Sequence, residues 1–80
     1  MNTIREVRDL ISNGDSAFCG DCPEWIRQSL VQRLDELLQS GEADKTGLDR
    51  FRIGAIRFLA DNTGSECELL MANISSLRLS

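Results

Sequence analysis

The 80-residue sequence predicts an all-α fold, a small bundle of about four short helices in one domain spanning 1–80. Three observations predict it. Apolar residues recur at helical spacing in four segments. Most of those segments open on a capping pair, and most are set apart by glycine or asparagine. The links between them are short, as in a helical bundle. A chain of this size buries only roughly 60% of its unfolded surface, so one small core is the limit.

The first segment covers about 3–13. Ile4, Val7, Leu10 and Ile11 share one face, Thr3 and Glu6 form a capping box, and Asn13-Gly14 ends the helix. Arg5 and Asp9 stand at i,i+4, in the weaker order for an ion pair. The second segment opens at Pro23, whose missing N–H suits a first helical turn, with Asp21 and Glu24 at capping-box spacing. Ile26, Leu30, Leu34, Leu37 and Leu38 draw its stripe, Trp25 and Val31 widen it, and Gly41 stops it.

The third segment covers about 48–61, with Thr46 and Asp49 as its start and Leu48, Phe51, Ala55, Ile56 and Leu59 as its face. Gly54 in its interior costs up to about 1 kcal/mol relative to alanine. Residues 51–55 also alternate as a strand would, but Ile56 to Ala60 break the alternation, so helix is the reading. The fourth begins at Ser65, paired with Glu68, and carries Cys67, Leu70, Ile74 and Leu77 on one face.

Composition narrows the function. Nine Lys+Arg stand against 13 Asp+Glu, a net charge of −4, which speaks against nucleic acid and against an anionic membrane surface. There is no histidine, so imidazole catalysis and histidine metal sites are excluded. No glycine-rich phosphate loop occurs, and Ser12, Ser16 and Ser29 lack a recognisable base. No basic, apolar leader opens the sequence and no long apolar run follows, so the expected compartment is the cytoplasm.

Cys19 and Cys22 form a C-x-x-C at the start of the second segment, where the helix dipole favours a thiolate. Phe18-Cys19-Gly20 resembles the aromatic-Cys-Gly opening of the thioredoxin active site over a few residues. That family needs a βαβ frame, and no such frame is read here. Cys19, Cys22 and Cys67 also raise the alternative of a redox switch or a zinc-stabilised module. Zinc, however, prefers four Cys or His ligands, and the chain has three cysteines. The plainer reading is buried, reduced thiols with no metal and no cofactor.

Apolar surface exceeds what four short stripes need: Trp25, Phe51, Phe58, Leu38, Leu69, Met71 and Leu79. Asp15, Asp21, Asp35, Glu36, Glu42 and Asp44 make an acidic half. The sequence therefore reads as a non-catalytic protein-binding module, a small acidic regulator or inhibitor working through a helical surface. A homodimer is the expected state, because a second copy is the simplest partner. Trp25, Phe51 and Phe58 are the expected anchors, and Arg50, Arg52 and Arg57 the expected rim that forks onto carboxylate or phosphate of a partner.

Overall fold

A computed structural model describes residues 3–41 and 44–77. Its helices are α1 (Ile4–Asn13), α2 (Ser16–Cys19), α3 (Glu24–Ser40), α4 (Lys45–Asn62) and α5 (Glu68–Ser75), with a 3-10 turn over Ser65–Cys67 leading into α5. Among the described residues there is no strand, so 51–55 lies inside α4. No described helix is long and apolar enough to cross a membrane.

The helices close a ring. α1 lies against α3, α3 against α4, α4 against α5, α5 against α2, and α2 returns to α1. Each contributes its stripe to one shared core. Val7 and Ile11 come from α1, Ile26, Leu30 and Leu34 from α3, Ala55 and Leu59 from α4, and Leu70 and Ile74 from α5. The four-residue α2, which no periodicity announces, adds Phe18 and Cys19.

The ends of α1 follow the expected chemistry. The Glu6 N–H donates to Thr3 Oγ1 at 3.2 Å, and Gly14 takes the left-handed conformation with φ of 68°. Gly41 ends α3 in the same way. Other starts differ from expectation. Pro23 is extended and precedes α3, and no side chain caps that helix, so the Asp21/Glu24 box does not form. α4 starts earlier than Thr46/Asp49 implied, because the Asp44 carboxylate accepts the Gly47 N–H at 2.9 Å. Ser65 caps nothing; the turn there is fixed by Gly64 N–H donating to Glu66 Oε1 at 2.9 Å. That contact first, and the backbone N–H of Glu66 next, hold the Glu66 carboxyl below its ordinary range.

Three arginines add polar links between separate parts of the fold. Arg8 Nε donates to Asp35 Oδ1 at 2.8 Å, linking α1 to α3. Asp9 also accepts from Arg8 and not from Arg5, the expected partner. Asp35 above all, then Asp9, keep the Arg8 guanidinium protonated beyond its ordinary range. Arg52 Nη2 donates to the Leu77 carbonyl at 2.6 Å and Nη1 to Asp49 at 3.0 Å, tying α4 to the chain just after α5. Arg27 Nη1 donates to the Ile11 and Ser12 carbonyls at 3.0 and 3.3 Å, so a cation from α3 neutralises the negative end of α1.

The Arg27 clamp yields a prediction. A Cβ on Gly14 would stand 2.9 Å from Arg27 Nη1, whereas one on Gly41 would meet nothing within 4 Å. Both glycines have positive φ, so alanine at either costs about 1 kcal/mol in backbone strain. Gly14→Ala also displaces Arg27 and is expected to cost about 1–2 kcal/mol more than Gly41→Ala in urea unfolding. Equal losses would show that the clamp contributes nothing.

Candidate functional site

Trp25 starts a flank of α3 that lies beside its buried stripe. Ser29, Gln32, Arg33 and Glu36 follow at helical spacing on that flank. On α4, Gly47, Phe51, Gly54 and Phe58 repeat at the same spacing, alternating small and large. The two rows meet at Phe58 and Gly54, which Trp25 and Arg33 of α3 reach. Phe51 turns into the core and is buried. Phe58 is half-buried at the seam and receives Trp25 edge-on, with ring centroids 6.4 Å apart and planes at 83°. The Arg33 guanidinium lies over the Phe58 ring, with Cζ 5.2 Å from the ring centroid. Gly54 makes room for it, since a Cβ there would stand 3.1 Å from Arg33 Nη1.

The result is an aromatic ledge bordering a shallow groove of about 410 Å³, lined by Ser29, Gln32, Arg33, Glu36 and Phe58. Trp25 is 58% exposed in spite of its contact with Phe58. Two other large apolar side chains are exposed among the described residues, Ile53 at 65% and Leu69 at 44%. Ile53 stands between Arg50 and Arg57 on the outer face of α4, and all three are exposed.

The expected anchors and rim are thus sorted. Trp25 and Phe58 come together on one surface. Phe51 cannot be an anchor on that surface, because its side chain is buried in the core. Arg52 is not a rim residue either; its side chain is spent on Asp49 and the Leu77 carbonyl. Arg57 and Asp61 form no ion pair, although their spacing allows one. Leu38 and Met71, like Phe58, pack partly against the core, so of the expected surplus Trp25 and Leu69 are the side chains exposed among the described residues. Leu79 and Glu42 lie outside the described residues. Gln32 and Arg33 carry no expectation from the sequence and Glu36 enters it only within the acidic half; their helical spacing from Trp25 is the signal that places them here. In the acidic half, Asp35 binds Arg8 and Asp44 caps α4, so both have structural work.

No family model, curated protein or solved structure matches the chain.

The thiols form a second cluster, inside the ring. Cys19, Cys22 and Cys67 are free and buried. Cys19 Sγ faces the Leu10 carbonyl at 3.8 Å, while Cys67 Sγ donates to Cys22 Sγ at 2.7 Å. Sequence spacing pairs Cys19 with Cys22; the fold instead sets Cys22 against Cys67. Burial pushes the Cys19 and Cys22 thiols up, and for Cys22 the contact with Cys67 adds to it. This is the opposite of an activated nucleophile, whose thiolate must form near neutral pH. Among the described residues, no group of three or more Cys, Asp or Glu could hold a metal ion.

Proposed function

We propose that this chain is a non-catalytic protein-binding module of the cytoplasm, a small acidic regulator that docks through the α3/α4 flank and is dimeric. The observation that carries the reading is Trp25. A tryptophan half out of the fold, stacked edge-on against Phe58 and bordered by Arg33, has the form of a binding hot spot: an aromatic anchor in a charged and polar border. The first occupant is a second copy. Arg33 and Glu36 sit on the same flank, so a two-fold axis across α3 sets one copy's Arg33 facing the other copy's Glu36. Such a flank is self-complementary in charge, and its aromatic ledges would cover one another.

Sedimentation of the wild type and Trp25→Ala tests this. The wild type is expected to sediment as a dimer. The variant is expected to be monomeric at the same concentration, with helical content unchanged, because Trp25 contributes little to the core. Removing a central tryptophan anchor typically costs about 2 kcal/mol or more of association, a factor of roughly 30. A wild type that stays monomeric at high concentration would overturn the dimer. A dimer indifferent to Trp25→Ala would move the interface elsewhere.

A further inference from the structure

We propose that Cys22 and Cys67 are a disulfide-forming pair, a covalent modification site through which an oxidant staples the α2–α3 connection to the start of α5. The two sulfur atoms are 2.7 Å apart, inside the separation of unbonded heavy atoms and near the length of a covalent S–S bond, about 2.05 Å. Both residues lie where the backbone can adjust. Cys22 sits in the link before Pro23, and Cys67 ends the 3-10 turn before α5.

The fold holds them opposed. Asn73 of α5 donates through Nδ2 to the Phe18 carbonyl of α2 at 2.8 Å. A Cβ on Gly20 would meet Leu69 at 3.5 Å, so the loop leaving α2 lies directly on α5. Cys19, the sequence neighbour, is directed instead to the Leu10 carbonyl.

The reaction is thiol–disulfide exchange with a small disulfide such as oxidised glutathione. Cys22 is the entry point, being slightly exposed where Cys67 is fully buried. Its thiol loses a proton, and the thiolate attacks one sulfur of the small disulfide. The released thiolate takes up a proton as the first small thiol. Cys67 then loses its proton and attacks the Cys22 sulfur of the mixed disulfide. This forms the Cys22–Cys67 bond and expels the second small thiol. Two protein thiols are oxidised by two electrons, and one disulfide is reduced to two thiols. Because burial keeps Cys22 protonated at neutral pH, exchange proceeds through brief local opening and is slow.

The two cysteines are 45 positions apart, so the bond closes a long loop, and constraint of the unfolded chain grows with loop length. A rise in melting midpoint of roughly 10–20 °C is expected on oxidation. A bond between Cys19 and Cys22 would close a very short loop and shift the midpoint far less.

The test uses the intact wild-type chain, incubated folded with oxidised glutathione, then alkylated and cleaved before aspartate. Cleavage before Asp21 puts Cys19 and Cys22 on different peptides, and cleavage before Asp61 releases the peptide that carries Cys67. The expected result is a loss of two hydrogens in the intact mass, a Cys22–Cys67 linked pair, and an alkylated Cys19. The same oxidation in denaturant should give mixed pairings, since only the fold directs this one. A Cys19–Cys22 or Cys19–Cys67 link from the folded chain, glutathione adducts alone, or three alkylated cysteines after prolonged oxidation would each overturn the proposal. Cys19→Ser is expected to retain the rise in melting midpoint and Cys22→Ser to lose it. The peptide map keeps the proposal testable if Cys22→Ser does not fold.

Discussion

Leu34→Ala is expected to cost about 3–5 kcal/mol and to leave the chain largely unfolded on modest heating or in low urea. Leu34 is fully buried on α3, the helix that faces α1 on one side and α4 on the other. Truncating it removes several methyl and methylene groups from the common wall of the core and leaves a cavity that two helices cannot both relax to fill. A domain of this size has a stability of roughly 4–12 kcal/mol in all, so the loss is a large share of it. Leu69→Ala provides the comparison. Leu69 is a leucine of the same volume, but it is partly exposed on α5. Its truncation is expected to cost less than about 1.5 kcal/mol. Urea unfolding followed by circular dichroism measures both. A Leu34→Ala loss no larger than that of Leu69→Ala would mean that α3 does not form the central wall.

Leu34 was legible because a buried stripe is a local repeat. Ile26, Leu30 and Leu34 stand four apart, and Cys67, Leu70, Ile74 and Leu77 keep helical steps; all seven are buried. Gly14 and Gly41 were legible because a left-handed stop selects glycine by sterics alone. What repeats could not reveal is which flank of a stripe meets a neighbour. Val31 and Trp25 both border the α3 stripe; one is buried in the core and the other is exposed to solvent, and no local repeat decides which.

Helix starts were harder to read, because several residues compete for the same backbone N–H groups. Asp44 won over Thr46 and Asp49, and Pro23 moved the start of α3 beyond the reach of Asp21. The arginine links could not be read at all. Arg8 reaches a residue 27 positions away, Arg27 one 16 away and Arg52 one 25 away, and no local pattern encodes such distances. The same holds for the thiols. C-x-x-C is a local signal that pairs Cys19 with Cys22, whereas the tertiary contact is between Cys22 and Cys67.

The buried thiols also set the alkaline limit of the fold. The chain has no histidine and no tyrosine, so between the carboxylates and Lys45 the side chains that titrate are the three cysteines. In the unfolded chain a thiol ionises near pH ~8.5. In the folded protein, burial keeps Cys19 and Cys22 protonated to higher pH. Above the unfolded value the unfolded chain therefore binds fewer protons than the folded one, and stability must fall as pH rises. Each such thiol contributes a loss of about 1.4 kcal/mol per pH unit while it stays protonated in the fold.

The reduced protein is therefore expected to lose stability between neutral pH and pH ~9.5, by at most about 1.4 kcal/mol per pH unit for each of the two thiols. Urea unfolding in reductant across that range measures it. Flat stability, or an equal fall in a Cys19→Ala/Cys22→Ala double variant, would remove the thiols as the cause. Oxidation gives an independent check on the same two residues. A Cys22 held in a bond to Cys67 no longer titrates, so the oxidised protein should keep the share of the loss due to Cys19 and shed that due to Cys22. The oxidised chain is then both more stable at neutral pH and less sensitive to alkali, a combination that a Cys19–Cys67 bond would give only with the roles of Cys19 and Cys22 exchanged.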